Sequence, residues 1–327
     1  MLSIIIVNYK SISLVQDALH SLHQFNPGLD AEVIVVDNDS GDKGVDEGVR
    51  WIQMDYNAGF ARANNAAMKE ANGDAFLLLN PDTLAIDDSI TQCYQRLMSS
   101  GRVAAGVQIL DRYHAPQISG SYFMKGGLNH LLPLPYWGDF LRWLGYRFNT
   151  KVPNVPVAGS DQEVDWISGA FLMVKKEAVE MAGLMDEDFF LYAEEVEWCS
   201  RLKQAGSLCI YGDLHIIHLE GATIDKESGT KESGYYNLYD KKGLQLMVSN
   251  HLRVRKQYGV TWFFFLLLNY SFTIPIFFIA GFLDHLLRGR NPFKTWPKAA
   301  AFTKNVARLW LLVPKIISGK PYFYKMM

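Results

Sequence analysis

Carboxylate and amide side chains follow three apolar runs near the start of the sequence. Asn8 follows the first run, Asp37 the second, and Asn80 and Asp82 the third. Asp37 could accept a hydrogen bond from a ligand donor such as the N3–H of a pyrimidine base. Asp82 could hold Mg²⁺ or Mn²⁺ together with phosphate oxygens, because hard cations prefer oxygen ligands. The alternative is that these residues only make turns, which is a common use of Asn and Asp.

A second candidate group is acidic and follows a run of aromatic residues. It contains Glu194, Glu195 and Glu197. If a helix begins here, the first two acids lie in its first turn, where the helix dipole favours carboxylates and capping is a sufficient role. The chemical alternative is a general base that deprotonates an attacking hydroxyl. His218 ends a later short apolar run and could complete a metal site with Asp82, although a single histidine is more often structural.

Apolar runs of strand length predict the elements that position these groups. Residues 3–7, 32–36 and 75–79 are continuous apolar runs, and residues 14–22 show a helical pattern between the first two. Continuous runs predict strands that are buried on both faces of a mainly parallel sheet flanked by helices. Because ligands bind at the carboxyl ends of such strands, the polar residues that follow them are expected to converge on one crevice.

The later part of the chain has a weaker pattern. Residues 112–161 are rich in Pro, Gly and aromatic side chains, which predicts a long irregular insertion near the site. Residues 166–174 return to a strand pattern, and a helix is expected after Asp186. Residues 209–211 and 216–217 are expected to form short strands.

Charge is distributed unevenly along the 327 residues, of which 49% are hydrophobic and 20% charged. That composition supports a sizeable core and excludes a wholly disordered chain. From residue 250 to the end there are 12 Lys and Arg against one acid, Asp284. Because the bases alternate with Phe, Leu and Ile runs, this segment favours an anionic membrane surface as partner over nucleic acid.

The strongest apolar run covers about residues 260–283. Its length is near the ~20 residues that a transmembrane helix needs. Asn269, Ser271 and Pro275 interrupt it, and bases flank both of its ends. A single span would place one basic cluster outside, so a re-entrant or interfacial helical hairpin with both ends in the cytoplasm is favoured over a true span or a buried helix.

The cysteines and the N-terminus suggest an intracellular protein. Cys93, Cys199 and Cys209 are an odd number without CxxC spacing, so we expect buried apolar thiols rather than disulfides or a zinc site. The sequence begins with an apolar run from Met1 that has neither a basic region nor a small-residue cleavage site. No export signal is therefore expected, and we place the body in the cytoplasm.

Seven sequence blocks, in this order, resemble the family 2 glycosyltransferases of the GT-A fold, most closely their rhamnosyltransferase-type branch. The blocks are IIVNY at 5–9, VVDNDS at 35–40, NAGFARANN at 57–65, LLNPD at 78–82, WISGA at 166–170, FLYAEEVE at 190–197, and His218. The resemblance covers about residues 1–221. It implies a GT-A (Rossmann-like) fold with a mainly parallel sheet flanked by helices, and the apolar, basic segment that follows predicts a C-terminal helical extension.

The resemblance also implies roles in binding the donor. The base of a nucleotide sugar, uracil or thymine, would be bound by Asp37, with Asn8 in the same pocket. Asp82 corresponds to the last acid of the metal-binding DxD motif, in which Asn80 replaces the first acid. The residues that correspond to the block bordering the nucleotide and its diphosphate are Asn57, Gly59, Arg62 and Asn64.

Catalytic and acceptor-side roles follow in the same way. The family usually has Glu-Asp where this chain has Glu194-Glu195, and the second residue is the base, so Glu195 is favoured and Glu194 stays an alternative. His218 corresponds to a histidine that completes metal coordination in several relatives. The acceptor-side strand is represented by Trp166, Ser168 and Gly169.

The prediction that follows is an inverting glycosyltransferase that uses Mn²⁺ or Mg²⁺. The expected donor is dTDP-rhamnose, with UDP-hexoses as the second choice. The expected acceptor is a glycan, carried on a polyprenyl lipid, in bacterial cell-surface polysaccharide synthesis. We expect residues 1–250 to form the GT-A catalytic domain and residues 251–327 a C-terminal helical membrane-associating region. The protein would lie peripherally on the inner face of the cell membrane, with no nucleic acid partner and with a homodimer left open.

Two other classes remain as alternatives. A non-catalytic scaffold or glycan-binding subunit of the same fold would be indicated by loss of Asp82 or Glu195, and both are present. A nucleotidyltransferase would need a Gly-rich basic loop after the first strand to hold a triphosphate. Residues 8–12 contain one base, Lys10, and no glycine, which disfavours that class.

Overall fold

The computed structural model describes residues 1–39, 41–42, 48–148, 153–219 and 237–327. Ser40 and the last two residues of the region of resemblance, 220 and 221, lie outside the described residues, as does part of the predicted insertion, residues 149–152. The chain divides into two compact units. Among the described residues, the first contains 1–39, 41–42, 48–122, 154–190 and 194–219, and the second contains 123–148, 153, 191–193 and 237–327.

All strands of the described chain belong to the first unit. They are β1 (Leu2–Asn8), β2 (Ala31–Asn38), β3 (Val49–Met54), β4 (Ala75–Leu79), β5 (Thr83–Leu84), β6 (Ala104–Leu110), β7 (Gly120–Ser121), β8 (Asn154–Val155), β9 (Gln162–Val164), β10 (Trp166–Ile167), β11 (Phe171–Lys175) and β12 (Leu208–His218).

Helices occur in both units. In chain order they are α1 (Ile12–Phe25), α2 (Gly59–Glu70), α3 (Ser89–Ser99), α4 (Trp137–Arg147), α5 (Lys176–Ala182), α6 (Glu194–Ala205), α7 (Lys241–Tyr258), α8 (Val260–Leu287) and α9 (Trp296–Ser318). The second unit contains α4, α7, α8 and α9, together with a 3₁₀ helix at Lys125–Leu131.

The main sheet has the strand order β3-β2-β1-β4-β11-β6-β12-β5, and β9 also pairs with β12. The strands β3, β2, β1 and β4 are parallel, as are β6 and β12. β11 lies between β4 and β6 and is antiparallel to both. The predicted helix-flanked sheet is confirmed, but it is mixed, because an apolar run indicates a buried strand without indicating its direction. A separate antiparallel sheet has the order β10-β7-β8.

Burial explains why the first apolar runs form strands. Leu2, Ile4, Ile5 and Ile6 of β1 are fully buried, and all five residues of β4 are buried. α1 covers the sheet with the apolar face that the sequence predicts. Side chains of these strands point alternately to the two faces of the sheet, and both faces are shielded from water. A continuous apolar run is therefore stabilised by burial at the centre of the sheet.

Two of the predicted strands have different limits. The run at 166–174 is interrupted, because residues 168–170 form a turn between β10 and β11. The short strands at 209–211 and 216–217 are one strand, β12, with an irregular register between Tyr211 and His215.

The predicted buried thiols are confirmed, since all three cysteines are free and buried. Burial raises the pKa of Cys199 to about 12, which keeps it a thiol.

The second unit contains the apolar run near the end of the chain. α8 covers that run as one helix of 28 residues with Pro275 inside it, so the expected hairpin within the run is wrong. A proline removes one backbone hydrogen bond, and packing of the rest of the helix offsets that loss. α8 is long and apolar enough to cross a membrane, although length and composition alone are weak evidence. The division after residue 250 stays a prediction; α7 is continuous across that point.

Candidate active site

The carboxyl ends of β1 and β2 hold the first pair of predicted residues. The strand register places Asn8 opposite Asp37. Asn8 Nδ2 donates to Asp37 Oδ1 at 2.7 Å, and both side chains are fully buried. The other oxygen, Oδ2, accepts from Gln53 Nε2 at 2.7 Å and from the Gly41 backbone N–H at 3.2 Å. Three donors therefore fix the orientation of the Asp37 carboxylate.

Gln53 is a site residue that the sequence analysis missed. It lies on β3, directly opposite Asp37 in the parallel register. In this strand Arg50 and Gln53 are exposed and the other four residues are half-buried, so there is no continuous apolar run. The signal that could have found the strand is its high content of apolar residues interrupted by single polar ones, which is compatible with a half-buried edge strand.

The loop from residue 57 to residue 59 is shaped by a second missed residue, Asn38. Its Oδ1 accepts from the Ala58 N–H at 2.7 Å, and its Nδ2 lies 3.2 Å from Asn57 Oδ1. Gly59 has a φ of +74°, and a Cβ there would lie 2.2 Å from the carbonyl oxygen of Phe190. Only glycine fits this position, because the backbone conformation and the close approach both exclude a side chain.

Arg62 and Asn64 of α2 have different surroundings. Arg62 Nε donates to the carbonyl of Glu187 at 3.0 Å, and its side chain is 27% exposed. Asn64 is buried, and its Nδ2 donates to the carbonyl of Phe60 in its own helix at 2.9 Å. Arg62 is thus the cationic group of this block that solvent or a ligand can reach. Asn65 holds the chain at Met185 through two hydrogen bonds to its backbone.

Three predicted residues come together after the carboxyl end of β4: Asn80, Asp82 and His218. β5 pairs with β12 so that His218 is opposite Thr83, the residue after Asp82. His218 Nε2 lies 3.3 Å from Asp82 Oδ1 and 3.3 Å from Asn80 Nδ2. Asp82 is buried, and the His218 side chain is 14% exposed. The structure therefore brings together the histidine and the acid that the sequence paired as metal ligands.

Gln117 fixes which nitrogen of His218 carries a proton. Gln117 Nε2 donates to the carbonyl of His218 at 3.1 Å, so its Oε1 is the atom that lies 3.1 Å from His218 Nδ1. An amide oxygen only accepts, so Nδ1 must carry hydrogen. In the neutral ring Nε2 is then an acceptor, and it lies 3.3 Å from both Asn80 Nδ2 and Asp82 Oδ1. Sequence reasoning missed Gln117, because only the fold brings it to β12.

This pair of side chains fits a divalent cation. A carboxylate oxygen and an imidazole nitrogen 3.3 Å apart can bind one ion as neighbouring ligands. In the described ranges no cluster of three or more His, Cys, Asp or Glu is arranged to hold a metal. The two side chains would leave the ion's remaining positions to phosphate oxygens and water, as is usual for Mg²⁺ at phosphate sites.

Glu194 and Glu195 are the first residues of α6 and are both buried. Glu197 is different, because Arg201 binds its two oxygens at 2.9 and 2.8 Å. That ion pair accounts for Glu197 as a structural residue. A Cβ added at Gly169 would lie 3.5 Å from Glu195 Cγ. The predicted base is therefore in contact with the predicted acceptor-side turn.

The residues before α6 have an unusual backbone. Tyr192 and Ala193 have φ angles of +71° and +66°, in the left-handed region that non-glycine residues rarely adopt. Each such residue costs about 1–3 kcal/mol and persists where the surrounding structure requires it, which is common at functional sites. These two residues directly precede Glu194 in the sequence.

Trp166 and Ser168 lie at the start of the turn that contains Gly169. Ser168 donates its N–H to Ser119 and accepts from Phe171, so its backbone is held in place. The indole N–H of Trp166 is buried and has no hydrogen-bond partner within the part of the chain that the structure describes. A buried donor without a partner is costly, and a ligand oxygen would offset that cost.

These groups share one edge of the sheet. The parallel register of β1, β2 and β4 places Asn8, Asp37 and Asn80 at the same ends of adjacent strands. The Asn80 N–H donates to Ala170, in the turn that contacts Glu195, at 3.1 Å. A carboxylate held at the end of β2, a carboxylate–imidazole pair and a buried acid near the same sheet edge are the groups that a nucleotide-dependent transferase site of the GT-A type would need.

Comparison with known proteins agrees with this class. Residues 3–118 match the family model described as glycosyl transferase family 2. Over this range the chain is therefore similar to the family 2 glycosyltransferases, and the curated proteins similar to it include rhamnosyltransferases. A mannosyltransferase from Pyrobaculum calidifontis, solved in complex with GDP-Man and Mn²⁺, superposes with a TM-score of 0.53 at 15% identity. The match covers 95% of this chain and 86% of that one, and it shows the fold.

Two curated relatives are similar in sequence. The low-salt glycan biosynthesis hexosyltransferase of Haloferax volcanii is 29% identical over 216 residues, which is 62% of each chain. The N-acetylglucosaminyl-diphospho-decaprenol L-rhamnosyltransferase of Mycobacterium tuberculosis is 27% identical over 178 residues, 50% of this chain and 56% of the relative. The matched part of the chain thus spans less than two thirds of each of these relatives.

Proposed function

We propose that the protein is an inverting glycosyltransferase that transfers a sugar from a nucleoside diphosphate to a glycan acceptor. The observation that carries the proposal is the Asp82–His218 pair, oriented by Gln117, on the same sheet edge as Asn8 and Asp37. A cation pair beside a nucleotide pocket suits a diphosphate leaving group. The family 2 match at residues 3–118 supports the same reaction class.

In the proposed reaction the acceptor hydroxyl oxygen attacks the anomeric carbon of the donor. The bond from that carbon to the diphosphate oxygen breaks, and the hydroxyl proton passes to Glu195. One displacement inverts the configuration at that carbon. Asp37 accepts a hydrogen bond from the base of the nucleotide, and Arg62 contributes positive charge near the diphosphate.

A divalent cation would be held by Asp82 and His218. When bound, Mn²⁺ or Mg²⁺ supplies positive charge that stabilises the departing diphosphate. The protein's own contribution is to hold both ligand atoms in place through the β5–β12 pairing and through Gln117. Glu195 is held by α6 against the turn at Gly169, which is where the proposal places the acceptor hydroxyl.

The donor and acceptor follow from the resemblance to rhamnosyltransferases. We propose dTDP-rhamnose as donor and a glycan on a polyprenyl diphosphate as acceptor, in cell-surface polysaccharide synthesis, with the protein peripheral on the inner face of the membrane. The relative named as an L-rhamnosyltransferase acting on a decaprenol-linked sugar supports this choice. A UDP-hexose is the second candidate, because a relative matched over a larger part of this chain is named a hexosyltransferase.

Calorimetric titration of dTDP and UDP into the purified protein, with and without Mn²⁺, tests the proposal. We expect dTDP to bind more tightly than UDP and Mn²⁺ to strengthen binding. Tighter binding of UDP would change the donor to a UDP-hexose. Binding of neither nucleotide under either condition would overturn the transferase proposal in favour of a non-catalytic glycan-binding subunit. The anomeric configuration of the product, read by NMR, tests inversion.

Replacing Gln117 by Leu is expected to weaken Mn²⁺ binding by about 10–100-fold, the usual effect of losing a residue that orients a metal-binding histidine. The reason is that His218 then loses the acceptor that holds hydrogen on Nδ1. Electron paramagnetic resonance of Mn²⁺ in the presence of excess dTDP measures the affinity. Gln95→Leu on the exposed side of α3 is the matched control. Equal Mn²⁺ affinity in the Gln117→Leu variant and the wild type would contradict the orienting role.

A further inference from the structure

α8 in the second unit presents an apolar stripe to the outside. Its exposed positions recur every three or four residues, so they share one face of the helix. From residue 260 to residue 286 these positions are Val260, Thr261, Phe265, Leu268, Phe272, Pro275, Ile279, Leu283 and Leu286. None of them is charged, and Ile279 is 61% exposed. An outward helix face in water is normally polar, so this stripe needs an explanation.

Aromatic side chains of α4 widen the stripe on one side. Trp137 packs edge-on against Phe272, and its indole N–H donates to Asn269 at 3.1 Å. Phe140 stacks on Trp137, and Trp143 is 59% exposed. Contacts inside the second unit thus fix these rings beside the stripe.

α9 widens it on the other side and adds charge. Trp310 donates its indole N–H to Ser271 of α8 at 2.9 Å, and Leu311 is 79% exposed. Lys304, Arg308 and Lys315 are exposed on the helix face next to Leu311, at offsets of seven, three and four residues. A row of bases therefore runs along the edge of the apolar surface.

The opposite face of α8 packs against other helices in the interior of the second unit. Phe263 and Tyr270 pack edge-on against His251 of α7. α7 also buries Arg253 and Gln245. A perpendicular span would carry these polar helices into the hydrocarbon, where polar and charged groups are costly.

We infer that this apolar face, formed by α8 with the flanking rings of α4 and α9, docks in the plane of an anionic phospholipid surface. The apolar stripe enters the acyl boundary, the indoles of Trp143 and Trp310 lie at the headgroup level, and the bases of α9 contact anionic headgroups. Charge complementarity favours this occupant over a second copy of the chain, because two copies joined through the face would bring their basic rows together.

This inference deepens the proposed function, because a lipid-linked acceptor is located at a membrane. It can fail separately, because lipid binding requires neither nucleotide nor transfer. The probe is sedimentation with vesicles of phosphatidylcholine and phosphatidylglycerol, compared with vesicles of phosphatidylcholine alone. The wild-type protein is expected to bind the anionic vesicles, and more weakly at high salt.

Two sets of substitutions test the face itself. The first set is a triple serine variant, Phe265→Ser, Phe272→Ser and Ile279→Ser. It is expected to weaken binding of the protein to vesicles by about tenfold or more, since each change removes apolar area from the contact. The second set is a triple glutamine variant, Lys304→Gln, Arg308→Gln and Lys315→Gln. It is expected to weaken binding by about tenfold or more on the anionic vesicles only. The matched control changes exposed apolar residues of the first unit, Tyr113→Ser, Val157→Ser and Met181→Ser, and should bind as the wild type does.

Labelling distinguishes an in-plane helix from a span. The native thiols are buried, so Lys256→Cys and Arg290→Cys introduce accessible thiols before and after α8. With protein bound to the outside of vesicles, an impermeant maleimide should label both positions, and protection of one would overturn the in-plane arrangement. Wild-type vesicle binding by the serine variant would overturn the docking face. A second result would also overturn it: light scattering shows a dimer for the wild type and a monomer for the serine variant, and neither protein binds lipid.

Discussion

Replacing Glu195 by Gln is expected to lower turnover by about 10²–10⁴-fold, the usual contribution of a general base. The change removes the proton acceptor and keeps the volume of the side chain, which lies against the turn at Gly169. Binding of the donor nucleotide should be unchanged, because Asp37 lies on β2 and Asp82 directly before β5, whereas Glu195 lies on α6. Steady-state transfer rates, together with calorimetry of dTDP, measure the two quantities separately.

Neighbouring acids on α6 provide the controls. Glu197→Gln weakens the two-point ion pair with Arg201, so a lower melting temperature with turnover retained is expected. Glu194→Gln examines the alternative base, and a loss of turnover confined to that variant would move the role to Glu194. Turnover at the wild-type level in Glu195→Gln would remove Glu195 from the proton transfer.

The sequence predicts the sheet edge well because it is specified locally. Each of the runs at 3–7, 32–36 and 75–79 is long and apolar enough to require burial, and polar residues directly follow it. The parallel register then places Asn8 beside Asp37 without further information. A resemblance based on ordered blocks also places Glu195 and His218 on this edge.

Residues that orient the site are harder to predict. Asn38, Gln53 and Gln117 act through amide hydrogen bonds that exist only after distant segments pair. An isolated Asn or Gln carries no periodic signal, since its chemistry depends on which donor or acceptor faces it. Their positions follow from register and loop packing, which composition and local pattern do not determine.

α8 shows a second limit of sequence patterns. Its apolar residues surround the whole helix, so no periodicity separates the face packed on α7 and α9 from the face left outside. The polar residues Asn269 and Ser271 suggested a break in the helix. In the structure they bind the indoles of Trp137 and Trp310, and so connect α8 to its neighbours.

Asp82→Asn is expected to abolish most of the strengthening of dTDP binding by Mn²⁺. The reduction should reach about 100-fold or more, since even residues that only orient a ligand contribute about 10–100-fold to metal affinity. Asn keeps the size of the side chain and can still hydrogen-bond His218, while the backbone carbonyl at this position continues to accept from Leu219. The melting temperature in a chelator should therefore match that of the wild type.

The comparison that decides the role of Asp82 is nucleotide affinity with and without Mn²⁺. In the variant, metal-free affinity for dTDP should be retained, because the proposed base site at Asp37 is oriented by Asn8, Gln53 and Gly41 and does not include Asp82. Asp87→Asn, just before α3, is the matched control, because the Asp87 side chain accepts from the Ser89 N–H; this variant should keep the full effect of the metal. If Asp82→Asn kept that effect as well, the cation would bind elsewhere, and the contact between Asp82 and His218 would have a structural role at the β5–β12 junction.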